Sequence, residues 1–267
     1  MEPYILKSYP DDAVITVEEL QRELLTIMDE VHRICVKNDI AYALIAGSAL
    51  GICNYHGFIP WDDDMDICVP RKDWERFIQA LKKDLSDEFY FQCFEVDSRY
   101  NVLIPSMKIR KKHTYIQEVN YLLENRCDGD GIFIDVVIYD NIADNRLADQ
   151  LWRMPNRFLM PILIYLDNLG FQAVWIKKMI LFIAEQYGKK YSDSRYTSQT
   201  LAIVWETWLH EPIFLKENVY PFQLYEFEGR QYYSYHNIEQ VMRQWYGEDC
   251  FRTWDGTKWV DPLPEKY

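Results

Sequence analysis

Paired cysteines are missing. The six present (Cys35, Cys53, Cys68, Cys93, Cys127, Cys250) form no C-x-x-C pair and no disulfide framework. Most lie in apolar runs, so they read as reduced core residues of a reducing compartment. The five histidines are scattered and make no H-E-x-x-H, which leaves a structural zinc without its spacing. Positive charge is scarce: 29 Lys and Arg stand against 42 Asp and Glu, a net charge of −13. Phosphate backbones attract basic surfaces, so a nucleic-acid partner is not expected. Long apolar runs are absent too. "MPILIYL", Met160 to Leu166, stops at Asp167 and is too short for a transmembrane segment. "FQAVWIKKMILFIAEQY" has traits of a surface-seeking helix, but its two lysines make a poor polar face, and a buried helix is expected. The opening "MEPYILKSYPDD" is acidic and lacks the apolar core of a secretory signal. The expected location is the cytoplasm, with a peripheral position at the inner face of the membrane as its variant.

What is present suits a folded protein. At 267 residues, with 49% hydrophobic and 27% charged residues, the chain can bury a sizeable core. Aromatic residues reach 16%, which means a heavily aromatic core or a pocket that stacks a base or holds a cation. Thr16 and Glu19 make a capping box, and Val17, Leu20, Leu24, Ile27, Val31 and Ile34 recur at helical spacing behind it. "IAYALIAG" reads as a strand ending at Gly47 and Ser48, "ALGICNY" as a short helix or turn, and "GFIPWDD" as a loop. "DMDICVP", "FYFQCFEV", "LIPSMKIR", "TYIQEV" and "GIFIDVVIYD" read as strands, and "KDWERFIQALKKDL" as a helix. From about Asn145 to His210 the pattern turns helical; "YEFEGRQYYSY" then reads as a hairpin and "NIEQVMRQWYG" as a closing helix stopped by Gly247. There is no internal repeat and no low-complexity linker. The fold class is α/β (α+β), a mixed sheet flanked by helices, with a catalytic core over 1–144 and a mainly helical part over 145–267 packed on it.

Four aspartates fall within residues 62–66, just ahead of an apolar strand. Two unit charges about 4 Å apart repel by roughly 4 kcal/mol at an effective dielectric of 20, so the cluster needs open water or a cation. On a strand, Asp64 and Asp66 share a face with Cα atoms about 6.6 Å apart, and Asp62 has the same parity. Asp63 points the other way. Three readings compete. One is a solvated acidic turn. A calcium loop starting at Asp62 fails because Ile67 stands where glycine is required and Asp73 where glutamate is. The third is a magnesium or manganese site for phosphate chemistry, whose oxygen ligands suit those ions. Gly47 lets a phosphate approach the backbone closely, and Ser48 adds a hydroxyl and an amide at a helix start. A nucleotidyltransferase-type site also needs a carboxylate on a neighbouring strand. Asp135, embedded in "GIFIDVVIYD", is costly to bury without a cation and is the candidate. Lys108 and Arg110 alternate on "MKIR" and share a face, where they can meet the charge of a leaving nucleotide or simply stay solvated.

At this point the chain resembles a known family. "LIAGSALGICNYHGFIPWDDDMDICVPRKDWERF" is very similar to the signature of the LicD phosphocholine transferases, related to the fukutin-related enzymes. "SMKIRKKHTYIQE", "GIFIDVVIYD", "YPFQLYEFEGR" and "WYG" extend the similarity. The resemblance implies a nucleotidyltransferase-like fold and transfer of a phospho-alcohol, most simply phosphocholine, from a CDP-linked donor such as CDP-choline to a hydroxyl of a cell-surface glycan, teichoic-acid or lipopolysaccharide precursor, free or lipid-linked. By position it assigns Asp62, Asp64 and Asp66 to the metal and Asp135 to the later strand acid. One departure stands out: Asn54 occupies a place where the family often has a basic residue, with His56 close by. For a quaternary ammonium, Trp152, Trp205 and Trp208 are candidate aromatic faces. The alternatives are a small-molecule nucleotidyltransferase that attacks the α-phosphorus, a metal-dependent glycosyltransferase, for which the acids come early in the chain, and a non-catalytic binding protein.

Overall fold

The computed structural model describes residues 4–8, 14–101, 104–117, 124–200, 213–254 and 259–260. A short hairpin of β1 (Ile5–Ser8) and β2 (Val14–Thr16) leads into helix α1 (Val17–Lys37). The capping box is in place: Glu19 N donates to Thr16 Oγ1 at 3.2 Å, and Thr16 N donates to Glu19 Oε2 at 2.8 Å. The apolar stripe of α1 is buried against the sheet.

The central sheet is mixed. It contains β3 (Ala43–Leu44), β4 (Asp66–Pro70), β5 (Phe89–Cys93), β6 (Ser106–Lys111) and β7 (Phe133–Ile142), in the order β3-β4-β7-β6-β5. Only the β4–β7 pair is parallel. Helices α2 (Ala46–Tyr55) and α3 (Arg71–Asp84) flank β4 in sequence. At ten residues β7 outruns β6, and its second half pairs with β8 (Tyr196–Gln199), which in turn pairs with β9 (Phe214–Leu215). Strands on both sides of residue 144 therefore share one sheet.

Two segments depart from the sequence reading. The strand before Gly47 is only two residues long, because α2 begins at Ala46. Residues 114–117 form no strand: Thr114 Oγ1 donates to Lys111 O at 2.8 Å and accepts from Ile132 N at 2.9 Å, which closes a turn where an extended segment was expected. The rest of that segment lies outside the described residues.

Helices α4 (Arg146–Asn168) and α5 (Val174–Lys190) pack together over a second core of Tyr100, Ile142, Met160, Leu163, Ile176 and Tyr187. After the short helix α6 (Lys216–Val219), the hairpin of β10 (Gln223–Phe227) and β11 (Arg230–Ser234) forms as expected. Helix α7 (Ile238–Tyr246) ends at Gly247, whose φ of 92° suits glycine. A final pair, β12 (Thr253–Trp254) and β13 (Trp259–Val260), is antiparallel. Among the described residues the cysteines are unpaired, with Cys35, Cys68 and Cys93 fully buried.

Candidate active site

A single row of side chains crosses the sheet. Asp66 on β4 lies opposite Asp135 on β7, Asp135 lies opposite Lys108 on β6, and Lys108 lies opposite Gln92 on β5. Residues directly opposite in a ladder project to the same face, so the row brings two acids and a lysine together. Lys108 Nζ is 3.0 Å from Asp135 Oδ1 and 3.2 Å from Oδ2, and 3.3 Å from the centroid of the Phe133 ring. Lys108 is buried at 3% exposure.

Ahead of Asp66 the chain is not a strand. Residues 62–65 form a loop, and strand parity begins only at Asp66. Asp63 consequently does not point away: oxygens of Asp62, Asp63 and Asp64 all lie within 4.8 Å of one another. Strand parity had left Asp63 out of the cluster. The loop is tied down from several directions. Gln21 on α1 donates to Ile59 O at 3.2 Å and Asp62 O at 2.9 Å. Asp66 N donates to Ser48 Oγ, and Asp135 N donates to Met65 O. Glu228, in the β10–β11 turn, accepts from Phe58 N at 3.2 Å. Gln21 carried no signal in the sequence, and Glu228 only the membership of "YPFQLYEFEGR", since each acts from far along the chain.

Gly47 and Ser48 both touch the acidic loop. A Cβ on Gly47 would stand 2.8 Å from Asp62 Oδ2, so the space glycine leaves admits that carboxylate. Ser48 is buried, and its hydroxyl holds the backbone of Asp66. Both position acids. Arg110 departs from expectation. It shares the face of Lys108 but is fully buried, donating to Gln92 Oε1 and Gly131 O, each at 2.7 Å, and so braces the sheet. Gly47→Ala is expected to displace the Asp62 carboxyl at a small stability cost, under about 1.5 kcal/mol. Divalent-ion affinity should fall about tenfold, measured by ion-dependent melting shifts.

The electrostatics show a site short of positive charge. Burial raises the Asp62 carboxyl to about 7, helped by the charges of Asp64 and Asp63 and by the hydrogen bond it shares with Asp64. Burial, then the charges of Asp135 and Asp63, raise Asp64. Asp66 is held well above the ordinary carboxylate range by burial first and by Asp64 and Asp135 next. Asp62 Oδ2 is buried and has no hydrogen-bond partner among the described residues. An orphaned carboxylate oxygen amid carboxyls that resist ionisation fits a hard divalent cation. In the metal-free protein these acids bind more protons folded than unfolded, so stability falls as pH rises from about 4 through 7. Melting temperatures between pH 4 and 8 should trace that fall, and Asp62→Asn should flatten it.

Beside the acids opens a cavity of about 460 Å³, lined by Asn54, Tyr55, Trp61, Tyr246 and Arg252 among others. Tyr55 and Trp61 meet edge to face at 6.5 Å. The Tyr246 hydroxyl is pushed up by burial and then by the charges of Asp66, Asp62 and Asp64. Asn54 Nδ2 donates to Cys250 O at 3.0 Å, while its Oδ1 is buried without a partner among the described residues. His56 caps α2 in the left-handed region at φ 53°. Of the expected aromatic faces, Trp152 packs on Tyr187 in the second core at 5.9 Å, and Trp205 and Trp208 fall outside the described residues.

Residues 39–122 match the LicD/FKTN/FKRP nucleotidyltransferase domain. That segment is similar to LicD-family proteins. The lipopolysaccharide cholinephosphotransferase LicD of Haemophilus influenzae is 28% identical over 130 residues, 49% of this chain and 46% of that protein. An uncharacterized protein of Rickettsia prowazekii is 38% identical over 79 residues, 30% of this chain and 29% of its own length. The matches thus span less than half of these relatives. The matched segment contains the Asp62–Asp66 loop, Gly47, Ser48 and Lys108, while Asp135 lies beyond it in sequence and joins it through the β4–β7 register.

Proposed function

We propose that this chain is a transferase that moves a phospho-alcohol, phosphocholine first among the candidates, from a CDP-linked donor to a glycan hydroxyl and releases CMP. The observation that carries the reading is the Asp66–Asp135–Lys108 row standing beside the Asp62–Asp64 loop. The similarity to a lipopolysaccharide cholinephosphotransferase supports the choice of phosphocholine and of a glycan acceptor.

Asp62, Asp64 and Asp66, with Asp63 joining at the rim, would hold Mg²⁺ or Mn²⁺. The ion would supply charge neutralisation at the donor diphosphate. The protein's own residues do the rest. Ser48 and Gln21 fix the acidic loop, so the ligand set is preorganised. Asp135, kept in place by Lys108, is oriented to receive the acceptor hydroxyl's proton. The acceptor oxygen then forms a bond to the phosphorus bearing the alcohol, and the bond from that phosphorus to the bridging oxygen breaks. The electron pair leaves with CMP. The cavity walled by Tyr55, Trp61 and Tyr246 takes one end of the donor.

Incubation with CDP-choline, Mg²⁺ and a glycan acceptor should yield CMP and phosphocholine-bearing glycan, and chelation should stop both. The rival reading, attack at the α-phosphorus of a nucleoside triphosphate, predicts pyrophosphate instead. Pyrophosphate from CTP with no turnover of any CDP-alcohol would replace the first reading by the second.

A further inference from the structure

Helix α4 buries more polar than apolar side chains, although Met160 and Leu163 join the second core. On α4 the inward positions include Asp149, Arg153, Asn156 and Asp167, all buried. The outward positions include Leu147, Leu151, Phe158, Ile162, Tyr165 and Leu169, each 49–70% exposed. At 3.6 residues per turn these outward side chains fall within a stripe about 80° wide, opposite the buried face. Helix α5 continues it with Trp175, Met179 and Phe182. Eleven of the twenty-one exposed large hydrophobic side chains among the described residues lie between residues 147 and 182. Isolated apolar residues on a surface need no explanation, but a continuous stripe does.

We propose that this face docks on an anionic lipid surface. The charge supports that occupant. Residues 146–190 hold seven basic and three acidic residues, a local net charge of +4 in a chain of −13. Arg146, Lys178, Lys189 and Lys190 are exposed, with Arg146 paired to Asp149 and Lys189 to Glu185. Pairing the face with a second copy of itself would oppose two positive surfaces, whereas an anionic bilayer complements one. No described helix is long and apolar enough to cross a membrane, so the hairpin lies along the interface. Tyr165 and Trp175, near the hairpin turn, suit the headgroup level. The buried-helix expectation for α5 is thereby met on one face only.

The test is cosedimentation of the full chain with vesicles of phosphatidylcholine alone or with added phosphatidylglycerol. The parent should sediment with the anionic vesicles and release at high salt. Phe158→Ser with Trp175→Ser should lower partitioning at least tenfold, and Lys178→Glu with Lys190→Glu should reduce it on anionic vesicles. Circular dichroism melts should stay unchanged, because these side chains lie outside both cores. Failure of the parent to sediment, or equal sedimentation of parent and Phe158/Trp175 variant, would overturn the proposal. So would a parent dimer that the same pair of substitutions dissociates, which would assign the face to a second copy.

Discussion

Asp66→Asn is expected to cut turnover at least a hundredfold, about 2.7 kcal/mol of barrier, while the metal-free protein holds or gains stability. The two effects have one origin. The Asp66 carboxyl is enclosed at the start of β4 with Asp64 and Asp135 as neighbours, and burial already holds it above the carboxylate range. Asparagine keeps the shape and removes a carboxyl whose ionisation burial, Asp64 and Asp135 oppose more than Lys108 favours it. With the ligand gone, melting shifts produced by Mg²⁺ should shrink, since binding stabilises only in proportion to affinity for the folded state. Initial rates and paired melts with and without Mg²⁺ measure both. Full turnover in Asp66→Asn would remove this acid from the proposed site.

Asp66 and Asp135 were legible as candidates because they rest on strands, but the placing of Lys108 on Asp135 was not, since it depends on register between distant strands. Asp66, Asp135 and Lys108 sit in apolar runs where alternation is regular, and each lies in register with the next. The acidic loop was not legible at the same level. Residues 62–65 leave the strand, so parity could not place Asp63, and only the fold gathers it with Asp62 and Asp64. Arg110 obeyed the alternation, yet alternation does not tell solvent from core, and here Gln92 and Gly131 absorb the guanidinium. Gly47 announced a close approach without naming the neighbour, which is Asp62. On α4 the periodicity marks an apolar stripe but not the side that faces inward. The buried Asp149–Arg153 pair, 2.9 Å apart, shows that the polar side does.

Lys108→Met is expected to have the opposite signature to Asp66→Asn. The ammonium is buried, within 3.2 Å of both oxygens of Asp135, and the sheet register sets it among the acids. Removing one partner of a buried ion pair costs about 3–5 kcal/mol, because the other is left uncompensated. The metal-free variant should therefore melt well below the parent at pH 8, and less far below it at pH 5, where the acid cluster takes up protons. A divalent ion should recover more stability in the variant than in the parent, since it replaces the missing charge. Adding Asp135→Asn to Lys108→Met should restore much of the metal-free stability, and the double-mutant cycle measures the coupling. This separates two roles for the lysine. As the counter-ion of Asp135 it acts through stability and metal response, with turnover lost as Asp135 shifts. As a direct contact to the leaving nucleotide it would lower turnover without touching the metal-free melt. A Lys108→Met protein as stable as the parent without metal, yet inactive on a CDP-alcohol, would move the lysine from the aspartate to the nucleotide.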